Sequence, residues 1–221
     1  MSKPSFIVAS LALLCACDPA TRDVAQPETA REAMRLEILG SDLTGISFRN
    51  DVIEDDTVNY FKYMYMYNGG GVAAGDLDGD SLPDLVFISN RNGGAVYRNL
   101  GDFRFQDVTA KSGFGLGATW ATGVSMADVN ADGHLDIHVC ASGPAERAAS
   151  TRRNLLFIND GKGHFTEQAA ERGLDRTGHS TMAYFADLDG DVDLDCFIVG
   201  HRNDFQTIRQ VIIDPRFLPV H

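Results

Sequence analysis

Three segments of this chain repeat one spacing of acidic side chains, and that repetition restricts the fold more than any other feature of the sequence. The first segment carries Asp76, Asp78, Asp80 and Asp84, the second Asp128, Asn130, Asp132 and Asp136, and the third Asp187, Asp189, Asp191 and Asp195. In each, the acidic or amide residues fall at loop positions 1, 3, 5 and 9, and an apolar run follows at once. The first aspartates lie 52 and 59 residues apart, near the period of about 50 residues expected of one four-stranded propeller blade.

More of the unit recurs outside the loops. Asn99-Leu100-Gly101 and Asn159-Asp160-Gly161 each sit between an apolar strand and a returning strand at Phe105 or Phe165, which is the pattern of a tight hairpin. A tail follows, Ala110 to Gly113 and Ala170 to Gly173, with an echo at Asp42 to Gly45. The strands after the loops, Leu85 to Ile88 and Cys196 to Val199, are apolar at successive positions, which predicts that both faces are buried. Radially stacked blades meet that demand, because neighbouring sheets cover each one on both sides. The fold expected is all-β: β-propeller blades, each a four-stranded antiparallel repeat, in an incomplete ring of about three blades. The repeat region is expected over 41–221, with blades at about 69–114, 119–174 and, in part, 179–221. The outermost blades of such an array would turn apolar faces to water, so either marginal stability or self-association through those faces is expected.

The loop chemistry points to a hard cation. Carboxylates at positions 1, 3, 5 and 9 direct several oxygens into one small volume, and Ca²⁺ takes roughly 6 to 8 oxygen ligands. The carbonyl at position 7 (Leu82, His134 or Asp193) and water would complete the shell. An EF-hand would need a bidentate Glu where this chain has Phe87, Val139 or Ile198, so the ion is expected on a β-hairpin instead. One Asp-Gly could be no more than a polar turn, but three copies in the same carboxylate register argue against that reading. Position 6, expected at positive φ, is Ser81, Gly133 or Val192; the β-branched Val192 makes the third site the weakest expected.

These loops resemble FG-GAP or VCBS-type repeats, as in the integrin α-subunit propeller, over most of residues 69 to 200. Thr44 to Asn50 and Tyr63 to Ala73 are similar, more narrowly, to the ASPIC/UnbV (cartilage acidic protein-like) group. The resemblance implies a closed propeller followed by a small C-terminal domain, whereas this sequence stops in its third repeat. The expectation is therefore of an N-terminal fragment.

Residues 1–17 read as an export signal, with Lys3 ahead of the apolar run Phe6 to Leu14. Leu14-Cys15-Ala16-Cys17 is similar to a bacterial lipobox, which implies lipidation at Cys17 and a periplasmic or surface lipoprotein. Cys15 departs from the small residue usual there, and an ordinary cleaved signal or an uncleaved anchor is the alternative. Residues 18–40 suit a tether, within which Glu28 to Leu39 reads as a short helix ending at Gly40 and Leu36 to Leu39 alternatively as a strand. The net charge of −12 argues against nucleic acid or an anionic membrane as a partner, leaving a lipid anchor as the only membrane contact expected. Cys140 and Cys196 read as buried thiols more readily than as a disulfide.

Tyr60 to Tyr67 reads as strand packing rather than a sugar platform, and Trp120 as core. The six histidines are scattered, and no zinc-hydrolase or serine-nucleophile motif is present, so no enzyme is expected. The function expected is an exported, calcium-binding module for a protein or glycan, or for adhesion. A polysaccharide-acting enzyme built on a propeller and a fragment without independent function are the alternatives.

Overall fold

A computed structural model describes residues 36–201. The chain divides after Ile38 into two units, and every element described belongs to the second. That unit is nearly all β. Strands β1 (Gly71–Gly75), β2 (Asp84–Ile88), β3 (Gly94–Asn99) and β4 (Phe105–Asp107) form one four-stranded antiparallel sheet in sequential order. Strands β5 (Trp120–Ala127), β6 (Asp136–Ser142), β7 (Leu155–Asn159) and β8 (Phe165–Glu167) repeat it. A two-stranded sheet follows, β9 (Ser180–Ala186) with β10 (Asp195–Gly200). Among the described residues the sheets do not close into a ring, and no helix is long and apolar enough to cross a membrane.

Each acidic loop joins the first two strands of its sheet, so Gly75 pairs with Asp84, Ala127 with Asp136 and Ala186 with Asp195 at equivalent ends. The sheets stack through their first strands, β5 packing against both β1 and β9. Between the two full sheets lies the main core, in which Val86, Ile88, Phe114, Val124, Ile137 and Phe157 are all buried. Close approach of β5 to β9 depends on Gly123, where a Cβ would lie 2.2 Å from the carbonyl oxygen of Thr181. Thr122 Oγ1 donates across the same seam to the Ser180 carbonyl at 2.8 Å.

The tails dock forward onto the next sheet. Helical turns α1 (Ser41–Thr44) and α2 (Thr109–Ser112) each end in a left-handed glycine, Gly45 at φ 75° and Gly113 at φ 78°. A Cβ at Gly45 would stand 2.5 Å from the Phe105 carbonyl oxygen, and one at Gly113 2.4 Å from that of Phe165. The echo at residues 42–45 is thus to the first blade what residues 110–113 are to the second. Phe48 then stacks on Phe87 at 5.2 Å, and the Ser47 amide donates to the Tyr97 hydroxyl, so this segment covers part of the outer face of the first blade.

Burial on both faces holds for one strand after a loop but not for all. Strand β6 is buried throughout, β2 alternates between buried and half-buried, and β10 is only half-buried and ends exposed. The physical reason is position: β6 has a sheet on each side, while β10 has one covered face among the described residues. The run Tyr60 to Tyr67 is not a strand but a succession of turns, in which the Tyr63 amide bonds to the Asn59 carbonyl and the Met66 amide to that of Tyr63. That spacing buries Tyr63 and Met66 together against Trp120 while Phe61 stays 96% exposed; packing on Trp120 overrides the strand preference of tyrosine. Trp120 is wholly buried, as its core assignment required. Residues 36–40 are irregular, and the signal, Cys17 and most of the tether lie outside the described residues, as do residues 202–221.

The Gly123 contact gives a test. Gly123→Val places a branched side chain against the backbone of β9 and should cost about 2–3 kcal/mol by overpacking, read as a lowered denaturant midpoint; an unchanged midpoint means that β5 and β9 do not approach so closely.

Candidate metal centres

The three loops share one hydrogen-bond scaffold. The position 1 carboxylate accepts backbone amides from across the loop: Asp76 from Gly79 and Ser81, both at 2.8 Å, Asp128 from Asp132 at 3.0 Å and Gly133 at 2.8 Å, and Asp187 from Gly190 at 2.7 Å and Val192 at 3.1 Å. The position 5 carboxylate accepts the amide two residues on, Asp80 from Leu82, Asp132 from His134 and Asp191 from Asp193. At position 9, Oδ2 accepts the amide of position 2, namely Leu77, Val129 or Leu188, at 3.0 to 3.1 Å. Oδ1 of Asp84 and Asp136 accepts the Asn99 and Asn159 amides at 2.8 Å. Those two asparagines are the ones repeated in the hairpins, and each also accepts the amide of its turn glycine.

This wrapping forces two left-handed residues per loop. Position 6 has φ of 69° at Ser81, 88° at Gly133 and 78° at Val192; position 4 has 79° at Gly79, 58° at Ala131 and 82° at Gly190. Each loop therefore holds one glycine and one strained residue. The advantage of Gly133 is offset by Ala131, which ranking the loops by position 6 alone had overlooked. Val192 remains the worst placed, because branching at Cβ makes this region most costly.

Carboxylate oxygens converge in the first and third loops. Asp76, Asp78 and Asp84 each offer an oxygen within 4.8 Å of the others, and so do Asp187, Asp189 and Asp195. Asp80 and Asp191 lie outside these groups of three. In the second loop Asn130 stands where the others have Asp78 and Asp189, and its amide donates to Asp132 Oδ2 at 2.8 Å. The set fits a divalent cation at one point in particular: Oδ1 of Asp78 is buried and has no hydrogen-bond partner, a costly state for a carboxylate that a cation would relieve. Its Oδ2 meets Arg98 Nε at 2.6 Å, and Arg98 Nη2 reaches Asp80 Oδ2 at 3.2 Å. The second loop has no such cation, since Ile158 precedes Asn159 there.

Charge crowding varies along the same lines. Burial raises the Asp84 and Asp136 carboxyls above the usual range, the Asn99 and Asn159 amides opposing it. The Ser81 amide lowers Asp76, and the Asn130 side chain lowers Asp132. In the third loop, desolvation and then Asp191 raise Asp189, while the contact with Asp191 raises Asp193.

At the strand ends opposite the loops lies a cluster that no motif announced. Ser142 Oγ is 2.8 Å from Tyr63 Oη, 3.0 Å from His179 Nδ1 and 3.4 Å from His201 Nε2, and His201 Nδ1 is 3.2 Å from Thr181 Oγ1. Asn90, Ser142 and His201 each fall six residues after the last aspartate of their loop, so the repeat register itself was the available signal. Both thiols are free. Burial raises them, Cys196 to about 12, and Cys140 further.

Antiparallel sheets, each with its first two strands joined by an acidic loop of one geometry, define a repeat protein of the propeller type. Residues 63–139, the first blade and the first half of the second, match the family model described as FG-GAP-like repeat; the chain carries FG-GAP-like repeats. It is 30% identical to Cartilage acidic protein 1 of Homo sapiens over 159 residues, 67% of this chain and 23% of that protein. It is also 30% identical to Cartilage acidic protein 1 of Xenopus tropicalis over 135 residues, 59% of this chain and 20% of that protein. The chain thus spans less than a quarter of the length of these relatives.

Two outcomes follow from the geometry. The left-handed strain at Val192, roughly 1–2 kcal/mol, exceeds the chain entropy that glycine adds, roughly 0.5–1 kcal/mol, so Val192→Gly should raise stability in chelator. A loss of stability in urea denaturation would place the strain elsewhere. Burial lowers His179, and burial together with His179 lowers His201 from 6.5 to about 4. The unfolded chain therefore takes up protons first, and this contribution to stability is present above about 6.5 and lost as pH falls toward 4. A His201→Gln variant should show a shallower decline of melting temperature across that window than the parent chain. Parallel declines would exclude the pair as its source.

Proposed function

We infer that the acidic loops bind calcium and that the blades they brace form an exported binding module. The observation carrying this reading is the common scaffold, in which backbone amides fix every position 1 and position 9 carboxylate while further oxygens stay directed inward. Oxygen-only donors in flexible loops suit Ca²⁺ rather than the softer metals. The ligands would be Asp76, Asp78, Asp80 and Asp84 in the first loop, Asp128, Asn130, Asp132 and Asp136 in the second, and Asp187, Asp189, Asp191 and Asp195 in the third. When bound, the ion supplies charge neutralisation and cross-linking of the loop; the chain supplies preorganisation.

An acidic surface, a signal-like N-terminus and the lipobox-like Cys17 support export with lipid anchoring. The partner is an extracellular or periplasmic protein or glycan, and binding rather than catalysis is the role that FG-GAP-like repeats favour. The exposed face of the last sheet, with Tyr184 and Val199 uncovered among the described residues, is where a further blade or a second copy would pack.

A ligand bound by the native state alone adds about 1.4 kcal/mol per site at ten times its Kd. Calcium restored after chelation should therefore raise the melting temperature in a concentration-dependent way, and Asp78→Asn should reduce the rise. A melting temperature indifferent to calcium would overturn the assignment.

A further inference from the structure

The seam between the first two blades holds a cavity of about 240 Å³ whose polar lining is unusual for so acidic a chain. Arg98 on β3, Lys111 on α2, and Lys162 and His164 in the β7–β8 turn surround it. Leu77, Val96 and Val108 supply an apolar floor. The walls belong to different blades and are held in register. Asn159 Nδ2 donates to the Leu77 carbonyl at 2.8 Å, and His164 Nδ1 lies 2.8 Å from the Ser112 carbonyl oxygen. The second contact fixes the imidazole with its other nitrogen unused. Neither Lys111 nor Lys162 has an ion-pair partner among the described residues.

We propose that this seam cavity is a binding pocket for an acidic side chain of a partner protein. Lys111 and Lys162 recognise the carboxylate, Arg98 being held by Asp78 and Asp80, and the apolar floor takes its methylene stem. Size favours one side chain, since pockets for whole small molecules begin at roughly 300 Å³. Chemistry favours a peptide over a glycan, because no Phe, Tyr or Trp ring lines the cavity to stack on a sugar face. Asp78 and Asp84 also border it and would repel an anion while uncompensated. Calcium in the first loop removes that repulsion, and in this respect alone the pocket rests on the calcium reading. Binding is then calcium-strengthened, and, by linkage, the acidic ligand tightens calcium in the first loop.

The test uses the full chain with a labelled short polyglutamate peptide, read by fluorescence anisotropy, and a polyglutamine peptide of equal length as control. Saturable binding of polyglutamate alone is expected in calcium. It should weaken at least tenfold in the Lys111→Ala/Lys162→Ala double variant and stay unchanged in Lys62→Ala, which lies away from the cavity. Both cavity lysines are exposed, and an unaltered melting temperature and calcium titration show that the double variant is folded. Absence of saturable binding by a calcium-loaded sample, or equal binding by the double variant, overturns the pocket. A sulfated oligosaccharide that binds more tightly at the same lysines overturns the assignment to a protein partner. Should the chain take up no calcium, the loop assignment fails separately. The pocket is then judged in chelator, where lysine-dependent binding supports it and lysine-independent or absent binding refutes it.

Discussion

The two four-stranded blades each depend on one buried carboxylate. Asp84 and Asp136 are almost wholly enclosed, yet each accepts two backbone amides, one from the start of its own loop and one from the third strand. The loop entrance, the second strand and the hairpin are thereby tied at a single point. Burial raises the acid, the amides counter it, and removing it would strand two amide donors in a dry interior. The position 1 aspartate then has a fixed frame against which to wrap its loop. A carboxylate that seemed only a ligand in the sequence is first a structural joint.

The repeat was legible because its signals are local. Spacing of aspartates, glycine turns and apolar runs are set within a few residues, and the two four-stranded sheets follow from them. What escaped lies between repeats. Burial of β6 but not β10 depends on how many neighbours each sheet has, which no single strand records. Tyr60 to Tyr67 has a composition favourable to strands, but Trp120, distant in sequence, gathers Tyr63 and Met66 into turns. The left-handed Ala131 was hidden because nothing in its side chain signals positive φ. His179 and His201 looked scattered until the register placed Ser142 and His201 at the same strand end.

The two ends of the sheets have different chemistry. At one end, carboxylates crowd within each loop, and in the first loop Arg98 enters as a fixed cation. At the other, neutral hydroxyls, imidazoles and aromatic rings close over Trp120. Divalent ions act on the first end alone, whereas acidity reaches both, through the raised carboxyls at one and the imidazoles at the other.

The forward docking of the tails sets the order in which the molecule can be assembled and taken apart. Because residues 41–45 rest on β4 and residues 109–113 on β8, each sheet is sealed by chain that was synthesised before it. A chain emerging from its N-terminus therefore carries a waiting cover for the next sheet, and each new blade docks onto a partner already present. Tension on the N-terminal side loads the cover of the first blade before any strand of that sheet.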